Sequence, residues 1–173
     1  MAFYPYNGNL TDTYIDVLSV GNMLERFVAF DDLSQITPSI FISGFTCASN
    51  QNNLDNNNIK YIINCTNTVS NYFENNSSLT YLRIPIDDTY NQHIEQYFDM
   101  TYNTIEQAIK ENKNVLVHCH AGVSRSVTIV IAYLMRKNNL TYEQARTFVK
   151  SKRSIIDPNP DFVKSLQEFE KKI

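Results

Sequence analysis

Short apolar stretches alternate with longer amphipathic stretches over most of the chain. Four short stretches rich in β-branched residues predict strands, at residues 39–43, 60–65, 80–86 and 114–119. The last of them, NVLVHC, is apolar enough for the middle of a sheet that is covered on both faces.

Helices are predicted between and after these strands. Residues 93–112 place apolar side chains near one face, and residues 125–137 are apolar almost all round, which predicts a central, buried helix. Thr141 and Gln144 form a capping box that opens a further helix, and Pro160 suits an early position of the last one.

The alternation of strands and helices predicts one α/β domain with a central, mostly parallel mixed sheet of about five strands flanked by helices. We place this domain at residues 34–173 and treat residues 1–33 as an N-terminal extension, in which residues 15–30 could form a helix packed on the core. The asparagine-rich residues 50–58 are expected to fill surface turns.

Composition and charge exclude several function classes. A net charge of −3 offers no argument for a nucleic-acid or membrane surface, so we expect neither partner. No secretory signal opens the sequence, and no apolar run reaches the ~18 residues of a membrane span. The cysteines, Cys47, Cys65 and Cys119, are too widely spaced for a disulfide ladder or a metal pair, which favours a reducing, cytoplasmic location with the nucleus left open.

The candidate chemistry lies in residues 117–126, VHCHAGVSRS. A buried strand ends at Cys119 and a buried helix starts near Arg125, and ligands bind at the carboxyl ends of strands in open α/β sheets. The loop between them would turn its backbone N–H groups inward beside the positive end of the helix dipole. Arg125 adds a planar fork that can hold two phosphate oxygens. The predicted phosphate-binding residues are His120, Ala121, Gly122, Val123, Ser124 and Arg125.

We call the loop of residues 120–125 the cradle. The Cys119 thiol at its bottom would be acidic, because the field that attracts phosphate also stabilises a thiolate. Cysteines in such places have pKa values lowered from ~8.5 to roughly 3.5–7.5. Cys119 is therefore the predicted nucleophile. His118 is expected to hydrogen-bond the loop and fix its shape. No metal or other cofactor is expected, since Arg125 and the backbone amides already supply positive charge.

The Cys-x5-Arg pattern, with a preceding His and a following Ser, resembles the signature of the dual-specificity branch of cysteine-dependent protein phosphatases. The likeness extends through IFISG at 40–44, AYLM at 132–135 and IIDPNPDFVKSLQEFE at 155–170. It implies a cysteine-phosphatase-like fold and hydrolysis of phosphotyrosine and phosphoserine or phosphothreonine in a protein partner through a cysteinyl-phosphate intermediate. We expect a small, stand-alone, atypical member, with a monomer favoured.

The resemblance also implies an acid on the loop before residues 93–112. Asp87 and Asp88 compete for this role, and Asp88 falls at the family's position when counted back from the helix start. Ser126 matches the residue that hydrogen-bonds the departing thiolate, although a serine in a first helical turn can also satisfy a backbone group.

Two further residues have two interpretations each. Asn159 matches a family position that props the loop from behind, and a plain helix cap is the other interpretation. Cys65 ends a strand at the same sheet edge as Cys119, so it could trap an oxidised Cys119 as a disulfide, or be a buried structural cysteine. Ser154 follows Arg153 where the family often has proline, which we expect to loosen a turn and leave the chemistry untouched.

Three other functions stay open. A phosphoinositide phosphatase would be expected to carry lysines in the loop, and an RNA 5′-phosphatase would need a basic approach surface. A non-catalytic phosphopeptide-binding module would usually have lost the nucleophile or the acid, whereas Cys119, Arg125 and Asp88 are present. The preference among phosphorylated residues depends on pocket depth, which motif letters do not encode.

Overall fold

The computed structural model describes residues 32–173. The helix predicted within residues 15–30, and nearly all of the proposed extension, lie outside the described residues. The strands are β1 (Ser34–Thr37), β2 (Ile40–Ser43), β3 (Ile59–Asn64), β4 (Thr80–Arg83) and β5 (Asn114–His118). The helical elements are α1 (Phe45–Ala48), α2 (Gln51–Asn56), a 3₁₀ turn (Ile94–Tyr97), α3 (Phe98–Lys110), α4 (Arg125–Asn138), α5 (Tyr142–Lys152) and α6 (Pro160–Glu170).

Within the described range, the strands form one sheet in the order β1-β2-β5-β3-β4. β1 is antiparallel to β2, and every other pair is parallel, which confirms the predicted mixed, mostly parallel sheet. β5 is the central strand. Ser43 and Asn64 both pair with His118, so the carboxyl ends of β2, β3 and β5 meet at one edge. That edge is where an open α/β sheet binds ligands.

Helix α4 is the most deeply packed helix, as its sequence predicts. Every residue from Arg125 to Met135 is buried, and the helix packs on α3, α5 and α6. Fully burying each large aliphatic side chain contributes about 1.5–3 kcal/mol, so this helix is held firmly. Its first residue is Arg125, and the packing therefore fixes the position of that guanidinium at the sheet edge. No helix within residues 32–173 has the length and apolar character needed to cross a bilayer.

The structure differs from the predicted elements in several places, and α1 was not predicted. β1 was not predicted, because Ile36 is its one apolar residue and a strand of four residues with one apolar side chain gives no clear pattern. β4 ends at Arg83, before the predicted limit of residue 86, since Pro85 lacks the N–H that a ladder needs. The asparagine-rich stretch forms α2 instead of turns. The Asn50 side chain accepts from Asn52 N to cap it, and the fully buried Leu54 anchors it.

Asparagine serves several left-handed turns of this glycine-poor chain. Asn58, Asn91, Asn112 and Asn139 all have φ between 49° and 59°. Asparagine tolerates this region better than most residues, because its short polar side chain can hydrogen-bond locally. Asn139 ends α4, and Asn91 lies in the loop that carries Asp88.

Candidate active site

The candidate nucleophile is the first residue after the central strand. β5 ends at His118, and Cys119 follows it with 1% of its surface exposed. Cys65, the first residue after β3, donates its N–H to the His118 carbonyl at 2.8 Å and so continues the strand pairing as far as Cys119. The thiol thus follows directly on the central strand, which is hydrogen-bonded to a neighbour on each side.

The loop after Cys119 has its carbonyl groups turned outward. Four consecutive carbonyl oxygens accept hydrogen bonds from outside the loop: Phe45 N to His120 O at 3.1 Å, Arg153 Nη2 to Ala121 O at 3.2 Å, Arg153 Nε to Gly122 O at 2.7 Å and Asp157 N to Val123 O at 2.9 Å. The C=O and N–H of a trans peptide point in opposite directions. The N–H groups therefore turn to the opposite side, where Cys119 Sγ lies, and such an arrangement binds anions.

Gly122 is required by the shape of this loop. Its φ of +68° lies in the left-handed region, and a Cβ atom there would come within 2.6 Å of the Ser43 carbonyl carbon and 2.9 Å of Arg153 Nη2. Glycine alone accommodates both constraints. Its N–H donates to Cys119 Sγ at 3.2 Å.

The sulfur of Cys119 is set to ionise. Burial raises the pKa of this thiol. Hydrogen bonds from Ser126 and Gly122 and the charge of Arg125 lower it by more, so the pKa lies below its usual value. The Ser126 Oγ–Sγ distance is 3.3 Å. Cys65 behaves in the opposite way, since burial and the neighbouring Cys119 charge raise its pKa well above the usual value. Of these two buried thiols, Cys119 is the nucleophile that the surroundings favour.

Arg125 lies between the cradle and the loop that carries Asp88. Its Nη1 donates to the Ile86 carbonyl at 3.2 Å, and its Nε lies 3.7 Å from Asp88 Oδ2. Within residues 32–173, Arg125 Nε is a buried side-chain nitrogen with no hydrogen-bond partner. A phosphate oxygen at the mouth of the cradle could accept from it.

Ser124 connects Asp88 to the cradle. Its hydroxyl donates to Asp88 Oδ1 at 2.8 Å and accepts from the Asn159 N–H at 3.0 Å. The sequence predicts Ser124 as a phosphate-binding residue, and in the structure its hydroxyl hydrogen-bonds the Asp88 carboxylate. Among residues 32–173, no hydrogen bond or ion pair joins the Asp87 carboxylate to the cradle, so the geometry favours Asp88 of the two aspartates.

The two predicted supporting residues occupy different positions. His118 is buried, and its Nδ1 lies 3.3 Å from the Cys119 carbonyl oxygen. Burial lowers the pKa of His118 to about 4, so this ring is neutral at pH 7. Asn159 combines both of its interpretations: its Oδ1 accepts from Asp161 N at 2.8 Å to cap α6, and its Nδ2 donates to the Thr89 carbonyl at 3.0 Å on the Asp88 loop.

Arg153 is the residue that sequence reasoning missed, since the sequence gives the Arg153-Ser154 pair no part in the chemistry. Its side chain is 3% exposed and holds the carbonyls of Gly122 and Ala121, while Nη1 donates to Ser34 Oγ at 2.9 Å. No local sequence pattern predicts this contact, because a single arginine after a helix is ordinarily exposed to solvent. His120 also differs from its prediction in part: its backbone belongs to the cradle, but its exposed ring lies outside it, 4.9 Å from the Phe45 ring.

Residues 32–173 form neither a metal site nor a disulfide. There, no group of three or more His, Cys, Asp or Glu side chains is placed to hold a metal ion. Cys47, Cys65 and Cys119 are all thiols in this structure. Positive charge at the cradle comes from Arg125, Arg153 and the backbone amides.

Comparison with known proteins gives consistent matches. The family model described as "Dual specificity phosphatase, catalytic domain" matches residues 40–172. Human dual specificity protein phosphatase 9 is 40% identical over 139 residues, which are 80% of this chain and 36% of that protein. The chain therefore spans about a third of that relative. Dual specificity protein phosphatase 1B of Arabidopsis thaliana is 36% identical over 161 residues, which are 92% of this chain and 95% of that protein. The crystal structure of human DUSP28 superposes with a TM-score of 0.76 at 27% identity, covering 81% of this chain and 93% of that one.

Proposed function

Since the chain belongs to the dual specificity phosphatase family, we propose that it hydrolyses phosphotyrosine and phosphoserine or phosphothreonine in proteins through a cysteinyl-phosphate intermediate. The observation that carries this proposal is the buried sulfur of Cys119, which accepts hydrogen bonds from Gly122 N and Ser126 Oγ inside a loop whose carbonyls point outward. Such a site stabilises a thiolate and a bound dianion by the same field.

In the first step, the Cys119 thiolate attacks phosphorus, so that an S–P bond forms while the P–O bond to the side chain of the substrate breaks. The leaving oxygen is a poor leaving group unless it is protonated as the bond breaks. We assign that proton to Asp88. The inward amides and Arg125 hold the phosphoryl oxygens, which carry the negative charge throughout.

In the second step, water attacks the phosphocysteine and the S–P bond breaks. The Asp88 carboxylate, left ionised by the first step, takes the proton of the water. The electron pair returns to sulfur, where Ser126 Oγ donates a hydrogen bond at 3.3 Å to the re-formed thiolate. The products are inorganic phosphate and the starting enzyme, and no external reductant or oxidant is consumed.

Hydrolysis of an aryl phosphate tests these assignments. We expect Cys119→Ser to abolish turnover, and Asp88→Asn to lower it by the ~10²–10⁴ that general-acid catalysis contributes. Asp87→Asn is the matched control and should retain close to wild-type activity. Equal losses at the two aspartates would contradict the acid assignment. Vanadate should inhibit, and a chelator should not.

Phosphopeptides and inositol phospholipids assayed side by side test the substrate class. A protein phosphatase turns over the peptides preferentially, and the loop offers no lysine to a multiply charged lipid head group. Preferential lipid turnover would favour a phosphoinositide phosphatase. Tight phosphopeptide binding without turnover by the wild type would favour a binding module.

We propose a reducing compartment, cytoplasmic or nuclear, because a low-pKa thiolate is lost by oxidation elsewhere. We also propose that the protein is a monomer and that its partner is a phosphorylated protein. We propose neither a nucleic-acid nor a membrane partner.

We also propose Cys65 as the thiol that traps oxidised Cys119. The support is their adjacency, since Cys65 N bonds the carbonyl of His118 next to Cys119 at 2.8 Å. Attack of the Cys65 sulfur on a Cys119 sulfenic acid would form the S–S bond and release water. Peroxide treatment followed by mass spectrometry should show this disulfide in the wild type. Cys65→Ser should instead accumulate irreversible sulfinic acid at Cys119, and an unchanged oxidation product in that variant would contradict the proposal.

A further inference from the structure

The loop that carries Asp88 has little packing of its own. It runs between the buried residues Ile86 and Ile94, and Asp88, Thr89, Tyr90 and Asn91 between them are all exposed. A loop with few buried contacts is mobile unless other bonds tie it down. The position of the acid therefore depends on polar contacts from neighbouring elements.

The near end of this loop is tied at the acid itself. Asp88 Oδ1 accepts from Ser124 Oγ at 2.8 Å, and the Thr89 carbonyl accepts from Asn159 Nδ2 at 3.0 Å. These contacts belong to the cradle and to the N-cap of α6. They hold one side of the loop only.

The far end is tied by Asp161. Its Oδ2 accepts from the backbone N–H of Asn91 at 3.0 Å, at the point where φ of +59° reverses the chain. Its Oδ1 accepts from Lys164 Nζ at 3.0 Å, and its own N–H donates to Asn159 Oδ1 at 2.8 Å. Both carboxylate oxygens are thus engaged, on a residue fixed in the first turn of α6. The hydrogen bond from Asn91 and that from Lys164 lower the pKa of Asp161, which keeps it ionised at neutral pH.

We propose that Asp161 is a positioning residue for the acid step: its carboxylate holds the Asn91 turn and so keeps Asp88 over the cradle. This role rests on the proposed function, because it matters only if Asp88 protonates a leaving group. Asp161 itself does not touch the substrate. The start of α6 then acts as a two-point clamp, in which the N-cap Asn159 holds Thr89, next to the acid, and Asp161 holds Asn91, three residues after it.

The geometry makes this clamp consequential. A general acid must lie about 2.6–3.2 Å from the atom that it protonates. A misplacement of ~1 Å by a mutation outside the chemistry can cost about 10²-fold. Loss of the Asn91–Asp161 bond would leave the cradle and its thiol unchanged, since neither residue contacts them.

The test compares two aryl phosphates that differ in their need for an acid. Phenyl phosphate has a poor leaving group, and 2,4-dinitrophenyl phosphate has a good one. For Asp161→Ala we expect kcat/KM for phenyl phosphate to fall by roughly 10- to 100-fold, and by no more than the ~10²–10⁴ that general-acid catalysis contributes in full. The value for dinitrophenyl phosphate should fall by less than about twofold, since that leaving group needs no proton. The vanadate inhibition constant should not change.

Three variants sharpen the comparison. Lys164→Met removes the other partner of Asp161 and leaves the Asn91 contact, so it should match the wild type. Asp161→Asn keeps an oxygen acceptor for Asn91 N–H and should recover part of the loss. The double variant Asp88→Asn with Asp161→Ala should be no slower than Asp88→Asn alone, because the clamp acts only through the acid. Should Asp161→Ala fail to fold by circular dichroism, Asp161→Ser, which cannot reach Asn91, is assayed in the same way.

Each remaining outcome overturns the inference. Equal losses on both substrates, or weaker vanadate binding, would mean that Asp161 supports the whole domain or the cradle. An unchanged phenyl phosphate rate would mean that Asp88 needs no clamp, and additive losses in the double variant would mean that Asp161 acts elsewhere. Failure of the proposed catalysis is separable, since the wild type would then hydrolyse neither aryl phosphate, or Asp88→Asn would leave phenyl phosphate hydrolysis unchanged.

Discussion

Replacing Arg153 with methionine should both destabilise the domain and weaken the acidity of its nucleophile. Methionine keeps much of the length and apolar surface of the side chain, but it removes the guanidinium. The carbonyls of Gly122 and Ala121 then lose donors that lie 2.7 and 3.2 Å away. The loop would be free to turn these carbonyls toward Cys119, which is the orientation that opposes a thiolate.

The magnitude follows from what is left unpaired. A buried polar group without a partner costs about 1–3 kcal/mol, and the removal of a buried charge recovers part of its own desolvation cost. The Gly122 carbonyl is buried and that of Ala121 is partly buried, so we expect a net loss of about 2–4 kcal/mol in the free energy of unfolding. Burial lowers the pKa of Arg153, while the nearby Asp32 and Cys119 raise it in part. By reciprocity, loss of this cation should raise the pKa of Cys119.

Two measurements check these effects. Urea unfolding gives the change in stability, and the pH dependence of iodoacetamide alkylation of Cys119, followed by mass spectrometry of its peptide, gives the change in thiol acidity. Arg153→Lys separates the causes, since lysine retains the charge but lacks the fork that reaches two carbonyls. Arg153→Lys should keep more of the acidity of Cys119 than Arg153→Met does. It should still show most of the loss in the free energy of unfolding that Arg153→Met shows.

Arg136→Met is the matched control, because this arginine forms an exposed ion pair with Asp99 at 2.7 Å, and such pairs contribute about 0–1 kcal/mol. The reasoning would be refuted if Arg153→Met lost no more stability than Arg136→Met and alkylated with the wild-type pH profile.

Three further predictions concern the cradle. Ser126→Ala removes one donor from the sulfur, and a hydrogen bond to a charged group contributes about 1.5–3 kcal/mol. We expect slower breakdown of the phosphocysteine, seen as a pre-steady-state burst of aryl alcohol followed by a lower kcat; a wild-type kcat would contradict the role. Gly122→Ala places Cβ 2.6 Å from the Ser43 carbonyl carbon, so vanadate binding and the melting temperature should both fall. His118 is neutral when folded, with a pKa of about 4 against ~6.5 unfolded, so the unfolded chain binds the extra proton between these values. Stability should therefore decrease as pH falls from about 6.5 to 4, by up to about 1.4 kcal/mol per pH unit, and His118→Asn should flatten this slope in urea titrations at several pH values.

The spatial proximity of Cys119 and Arg125 could be predicted from the sequence because it depends on one short, continuous segment. Strand β5, the cradle and helix α4 follow one another without interruption, so the order of apolar and polar residues is enough to place Cys119 and Arg125 together. The apolar character of α4 all round also predicts its burial. These features need no knowledge of how distant parts of the chain meet.

The residues that hold the cradle and the Asp88 loop could not be predicted in the same way. Arg153 and Asp161 reach the site only because α5 and α6 return to the sheet edge, and their docking is decided by apolar packing elsewhere, such as the fully buried Phe162 and Leu166. The short helix α2 escaped prediction because one buried residue, Leu54, produces no periodicity. Ser124 was placed in the correct loop, but the partner of its hydroxyl depends on where Asp88 lies.

The outward-turned carbonyls have a consequence for the newly made chain. Their donors, Phe45, Arg153 and Asp157, come from segments far apart in the sequence, and the loop closures that join them carry an entropic cost that must be met before the contacts form. Until then Cys119 is an ordinary thiol with a pKa of about 8.5, mostly protonated and slow to react. The enhanced acidity of Cys119 therefore arises only at the end of folding, and a nascent or damaged chain holds most of this sulfur as the less reactive thiol.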